Sequence, residues 1–332
     1  TTEIYTLSLH DALPIFPTYM QGRPFLGANL PPERDYVYAA RDRMDERYDC
    51  IRMVRDKKFH YIRNYEPFKP YDQYMDYEAA SPVKKELHRL AKEGALPEGA
   101  AWVTRATKPV EELYDTDADP FELTNLAQTP ELQPVLERLR AEHDRWFRAS
   151  NDLGWIPEPE LNVLGNRYGS RYGILPGLDR DIPDFRERLA NIVKKAGRPA
   201  PENAAGLIEA LGAPEVSPRY WAATGLGNLT QADATVEEAL THTLADPSAT
   251  VDVAAARALL TLGKARDKAF ATLIGALENP DEWVRLMAAQ ALDTAPEKPD
   301  AVLQALEKAL GDQDNKYVVR VARHALGKEN PA

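Results

Sequence analysis

The chain has 332 residues, 44% of them hydrophobic, a formal net charge of −11 and a single cysteine. That length and apolar content suit about two folding units, each with its own core. The acidic balance argues against a nucleic-acid partner, whose phosphates call for clustered Lys and Arg; no apolar run approaches the roughly 20 residues needed to cross a bilayer; and one cysteine rules out an internal disulfide, so redox compartment stays unread.

In chain order, residues 1–15 stand apart. Thr6-Leu7-Ser8-Leu9-His10-Asp11-Ala12-Leu13-Pro14-Ile15 resembles the conceptual translation of a sequencing adapter, so His10 and Asp11 are expected to carry no function, and the true start is expected upstream of the join. Strands follow. Cys50 to Arg55 and Phe59 to Tyr65 are β-branched and aromatic runs around the charged turn Asp56-Lys57-Lys58, the pattern of a hairpin. With Asp35 to Ala40 and Glu111 to Asp115 they predict a small antiparallel sheet. Pro130 to Arg148 carries Leu132, Val135, Leu136, Leu139 and Trp146 at helical spacings, which predicts a helix packed over one sheet face. Residues 151–183 are dense in Gly, Pro, Asn and Tyr, and read as a loop or linker.

From residue 184 to about 330 a repeat takes over. Leu207, Leu240, Leu273 and Leu306 are 33 residues apart, as are Leu211, Leu244, Leu277 and Leu310, while Leu226, Leu259, Leu292 and Leu326 follow at 33, 33 and 34 with an alanine four residues before each. Leucines at i and i+4 lie on one helical face, so each unit predicts a leucine-lined helix, a turn and a second helix with an Ala/Leu face. The turns fall at Asp246-Pro247, Asn279-Pro280-Asp281 and Asp312-Gln313-Asp314. No pair can bury its stripe alone, so stacked neighbours must share a core. The pattern, with Val284-Arg285 and Val318-Val319-Arg320, resembles a HEAT-type α-solenoid of about four helix pairs. The fold class expected is therefore α+β, a small antiparallel sheet with a packed helix (residues 16–150) followed by an all-α solenoid (residues 184–330). Such a solenoid either offers a surface to a protein or polysaccharide partner or shields its neighbour, with Trp283 and Tyr317 as partner anchors or inter-repeat contacts.

Two local patterns carry a second resemblance. Val54-Arg55-Asp56 with Lys57 and Tyr61-Ile62-Arg63-Asn64, and Glu111-Glu112-Leu113-Tyr114-Asp115 with Asp119-Pro120, Glu122 and Asn125-Leu126-Ala127, are similar to the closing segment of the sulfatase family. Gln21 to Gly27 looks like that family's link out of its large α/β domain. The resemblance implies a hydrolase of sulfate esters or sulfamates, exported to the periplasm or beyond, whose formylglycine nucleophile and calcium ion sit earlier in the chain, on a part missing here. Cys50 is not that nucleophile, because Arg52 and Val54 stand where the family motif needs Pro or Ala and Arg; it reads as a buried small hydrophobe. A phosphonate or phosphate monoesterase of the same superfold, and a non-catalytic repeat scaffold with an inactive remnant, are the alternatives.

No catalytic or metal-binding residue is expected in this chain. Asp115-x-Asp117-x-Asp119 copies the start of an EF-hand loop, but Pro120 and Leu126 occupy its glycine and glutamate positions. His60, His88, His143, His242 and His324 show no zinc spacing. Gly225-Leu226-Gly227 lacks the third glycine of a phosphate loop. The one site candidate is Arg41-Asp42-Arg43-Met44-Asp45-Glu46, which looks like a charged segment of bacterial sulfatases and is expected as a loop at the rim of an active site. Arg41 and Arg43 are the residues expected to contact substrate, since a guanidinium forks two parallel hydrogen bonds onto a sulfate or carboxylate.

Overall fold

The computed structural model describes residues 22, 23, 26, 27, 30–198 and 200–328. The adapter-like run lies outside the described residues, as do Gln21, Pro24 and Phe25 of the link. The chain divides into Thr1–Val37 and Tyr38–Ala332. The first unit contributes, among its described residues, irregular chain and the first residue of a strand.

Strands β1 (Val37–Met44) and β2 (Arg47–Arg55) are joined by Asp45-Glu46, with Asp45 at φ 52°, a left-handed conformation that Asp tolerates better than most residues. The expected first strand, Asp35 to Ala40, thus runs on through Met44, and the segment expected as a loop is the end of a strand plus a two-residue turn. β3 (Phe59–Asn64) and β4 (Glu111–Asp115) complete a sheet in the order β1-β2-β3-β4. β3 runs antiparallel to both neighbours, with Tyr61 opposite Val54 on β2 and opposite Leu113 on β4. Side chains alternate between faces along a strand, so these three fully buried residues share one face. Helices α1 (Asp76–Ala79) and α2 (Pro82–Lys92) lie between β3 and β4, and α3 (Gln133–Ala149) follows the sheet. It is the predicted helix, and it buries Leu136, Leu139, His143 and Phe147, with the His143 ring edge-on to Tyr61 at 5.8 Å.

Residues 151–183 are not a loop. They hold α4 (Glu158–Arg167) and α5 (Ile174–Asp181), leading into α6 (Phe185–Ala196). The glycines and prolines that mimic a linker have local tasks: Pro159 sits in the first turn of α4, where a missing N–H is harmless. A Cβ on Gly177 would stand 2.2 Å from a ring carbon of Tyr168, so that glycine makes room for an aromatic ring.

Four helix pairs then stack: α7 (Ala204–Ala210) with α8 (Val216–Gly227), α9 (Ala234–Thr243) with α10 (Ala249–Thr261), α11 (Arg266–Ala276) with α12 (Glu282–Asp293), and α13 (Asp300–Ala309) with α14 (Lys316–Ala325). The periodic leucines Leu207, Leu240, Leu273 and Leu306 and alanines Ala222, Ala255, Ala288 and Ala322 are all fully buried. Small residues bring the second helices close together. A Cβ on Gly227 would meet the Cβ of Ala258 at 2.6 Å, and one on Gly225 the Cα of Ala196 at 2.6 Å, so α8 is pressed against α10 on one side and α6 on the other. No helix among the described residues is long and apolar enough to cross a membrane.

The repeats are also latched by charge. Arg219 on α8 donates to both carboxylate oxygens of Asp246 at 2.8 and 2.9 Å, and to the carbonyls of Ala213 and Pro214 at 2.9 Å. Arg285 on α12 repeats this with Asp312 at 2.6 and 3.2 Å and the carbonyls of Asn279 and Pro280. Halfway between, 33 residues from each arginine, stands Asp252. One of its carboxylate oxygens is buried without a hydrogen-bond partner among the described residues. Burial, with the Asp246 charge adding to it, pushes its carboxyl up to about 7.

An acid whose folded pKa is raised stays protonated in the fold while the unfolded chain ionises. Its contribution to stability therefore falls as pH climbs from the ordinary carboxylate range through about 7 and stays low above that. Asp252→Asn is expected to raise Tm by about 3 °C at pH 8.5 and to leave it unchanged at pH 4, measured by calorimetry; an equal shift at both would refute a neutral Asp252.

Candidate functional site

The turn between β1 and β2 is where charge and aromatic groups converge. Arg43 points its Nε at Glu158 of α4, 2.6 and 2.7 Å from the two carboxylate oxygens, and its Nη1 donates to the carbonyl of Asp45 at 3.2 Å. Its guanidinium lies 5.3 Å from the Tyr48 ring centre and 5.2 Å from that of Trp283 on α12. Glu46 is buried; one oxygen accepts from the Asp76 backbone N–H and the other from Arg320 of α14 at 3.3 Å. Arg320 also reaches Asp76 at 3.3 Å. The Tyr317 hydroxyl donates to Asp45 at 3.1 Å, and the Gln290 side chain to the Glu46 carbonyl. Trp283 and Tyr317 are thus anchors within the chain, holding the hairpin against the second helices of the repeats.

The two arginines singled out from the sequence are not brought together. Arg43 has partners for all three nitrogens, Nη2 meeting Glu158 as well. Arg41 is the opposite case: its carbonyl accepts from Arg52 at 3.2 Å, but its side-chain Nε and Nη2 are buried without a hydrogen-bond partner among the described residues. Burial holds its pKa below the usual arginine value; the Arg47 cation pushes the same way, and Asp49 and Glu78 oppose both. A desolvated guanidinium with donors unspent is poised for an oxyanion.

Beneath the hairpin, Arg52 is fully buried and donates to both oxygens of Asp152 at 2.6 Å, with Asp42 at 3.0 Å. A Cβ on Gly154 would fall 2.1 Å from its Nη2, so the glycine is required for this pair. Lys108 meets Asp49, which also accepts from Gln73 at 2.9 Å, and Lys69 meets Glu66 at 2.6 Å. Sequence reading could not supply these partners, because Arg52 and Asp152 are 100 residues apart.

Two of the cavities among the described residues flank these elements. One, of about 650 Å³, lies between the sheet, α3 and α6, and is lined by Arg63, Glu111, Arg140, Phe147, Trp155 and Arg186 among others. Within it Arg140 donates to Glu111 at 2.6 Å and Arg186 meets Asp179 at 2.7 Å. The other, of about 580 Å³, opens between the hairpin, the chain following β3 and the second helices of the repeats.

The residues present do not fit the formylglycine and calcium that the resemblance implies. Cys50 is fully buried, its Sγ donates to the Gly154 carbonyl at 3.4 Å, and burial pushes its thiol well up, which opposes nucleophilic chemistry. Asp115 accepts from the backbone N–H groups of Asp117 and Ala118 at 3.2 Å, and Asp119 from that of Thr124 at 2.8 Å, so these carboxylates hold a turn. No group of three or more His, Cys, Asp or Glu side chains among the described residues is placed to hold a metal ion.

A family model described as HEAT repeats matches residues 237–327. An ulvan-active sulfatase of Formosa agariphila is 50% identical over 149 residues, which is 45% of this chain and 25% of that protein. A second ulvan-active sulfatase of the same organism is 30% identical over 178 residues, 51% of this chain and 32% of that protein. The chain joins a sulfatase-like segment to HEAT repeats. It spans between a quarter and a third of the curated relatives it matches. The matched HEAT region starts within α9, and the pair α7–α8 ahead of it keeps the same register of buried leucine and alanine.

Glu158→Gln removes the charge opposite Arg43 while keeping the side chain's size, in a pair whose members are only 13% and 17% exposed. Stability in denaturant is expected to fall by about 2 kcal/mol, and limited proteolysis to begin at residues 43–48. An unchanged cleavage pattern would show that the hairpin does not depend on this pair.

Proposed function

We propose that this chain is the closing part of a sulfatase, in which the β1–β2 hairpin presents Arg41 to an anionic substrate and the HEAT repeats brace that hairpin. The observation that carries the reading is the contrast between the two arginines: Arg43 is locked to Glu158 and Trp283, while Arg41 keeps two buried donors unmatched. Arg43 then acts as a positioning residue, fixing the strand that carries Arg41. The sulfatase relatives support the reaction class, and their names make ulvan the first substrate to test.

In this reading the nucleophile and the cation that binds the sulfate group stand on polypeptide outside residues 1–332, since Cys50 and the Asp115–Asp119 turn do not suit those tasks. The protein is exported, as its substrate would require. Because the second-helix face is engaged by the chain's own hairpin through Gln290, Tyr317 and Arg320, any outside protein partner would use the first-helix face.

The test is kinetic, in the enzyme carrying the complete reading frame. Arg41→Ala is expected to raise KM for the sulfated saccharide about tenfold, the loss of one charge-assisted contact, with Tm nearly unchanged; Arg43→Ala is expected to lower Tm. Unchanged kinetics in Arg41→Ala would remove the hairpin from the substrate site.

A further inference from the structure

The second helices present a polar ladder beside the alanine ladder that packs them. Two residues after each periodic alanine stand Thr224, Arg257, Gln290 and His324, and all four line the cavity of about 580 Å³. Three rungs are used within the chain, Thr224 through the Tyr220 hydroxyl. Gln290 donates to the Glu46 carbonyl, and His324 bonds Asp293 at 2.8 Å and stacks on Tyr74 at 3.9 Å.

Arg257 is different. Its guanidinium lies 4.2 Å from the ring centre of Phe68, and it forms no ion pair or side-chain hydrogen bond among the described residues. The acid groups that act on it are the Tyr220 phenol and Glu66, and Glu66 is in contact with Lys69 at 2.6 Å. Glu66 lies outside the lining, and the carboxylates that do line the cavity are matched: Glu46 to Arg320, Asp72 to Lys84 and His88, Glu158 to Arg43 and Asp293 to His324. Among the described residues Arg257 therefore makes no direct ion pair inside a partly desolvated space, with Glu66 acting on it only at longer range, an arrangement that favours an incoming anion.

The space is too large for an ion alone. A sulfate or carboxylate on Arg257 would leave room beside Phe68, Tyr48 and Tyr220, with Asn228 and Thr224 at the wall. Asn228 donates its amide N–H to the Ala196 carbonyl at 3.1 Å, which directs its oxygen elsewhere as an acceptor for a hydroxyl. Aromatic faces with a few neutral hydrogen-bonding groups and one fork-shaped cation match a sugar ring that bears an acidic substituent.

We propose that the cavity between the hairpin and the second helices is a separate binding site for an acidic saccharide, anchored by Arg257. It rests on the reading of the chain as part of a saccharide-sulfate hydrolase only in its choice of ligand. It holds or guides polymer away from the bond being cleaved, and it is contained wholly within this chain.

The test uses the full chain without any catalytic partner, so it is independent of the Arg41 kinetics. Glucose 6-sulfate, glucuronic acid, inorganic sulfate and glucose are titrated by calorimetry, and hydrogen–deuterium exchange is followed with and without the best of them. The expected result is that one of the acidic sugars binds at least tenfold tighter than both sulfate and glucose, that Arg257→Gln weakens it at least tenfold with Arg257→Lys intermediate, and that bound sugar protects α10 and residues 66–74 in the wild-type chain. No binding, sulfate binding as tightly as the sugars, an unaffected Arg257→Gln variant, or protection elsewhere would each overturn the proposal. Should Arg257→Gln not fold, the wild-type exchange map decides alone.

Discussion

A buried carboxylate at the tip of a hairpin governs how this molecule is put together. Glu46 sits out of contact with water, where an uncompensated charge would be strongly unfavourable, and its partners come from two directions: the backbone N–H at the start of α1 and the guanidinium of Arg320 on the last described helix. Around it Tyr317 and Gln290 reach the same two-residue turn, and Trp283 meets Arg43 at the end of β1. Removing any one partner leaves the charge stranded, so the sheet and the repeats answer for each other's stability. At this turn the solenoid acts as a clasp.

The repeats achieve this by separating packing from recognition along one helix. In α8, α10, α12 and α14 the alanine positions lie fully buried and let backbones approach, while positions two residues on turn toward the hairpin. Leucine and alanine therefore set spacing and Thr224, Arg257, Gln290 and His324 set what the concavity can hold. The arginine latches at Arg219 and Arg285 fix the angle between successive units, and their absence at Asp252 leaves the middle of the stack without that restraint, next to Arg257.

What could be read from the chain follows from the range of the interactions. Strand identity and the helix after the sheet were visible because alternation and 3.6-residue periodicity are local, and the repeat was visible because four copies share one register. Residues 151–183 misled because Gly177 and Pro159 look like breakers when their roles depend on Tyr168 and on the first turn of α4. Arg41 to Met44 looked like loop because charge masks a strand whose partners, Arg52 and Glu158, are distant in sequence. Arg257 carried a signal that went unused: an arginine within an alanine-rich helix, in register with Thr224 and Gln290, marks an inward-facing polar position.

The hairpin's grip has a consequence for how such a protein can change. Repeat arrays commonly grow or shrink by whole units, because each unit touches only its neighbours. Here Trp283, Gln290, Tyr317 and Arg320 must arrive at one fixed tip, so gaining or losing a unit between α8 and α14 would carry these side chains a full step past their target. The number of units up to α14 is thus frozen by a two-residue turn, and lengthening that spares the clasp can occur only beyond it.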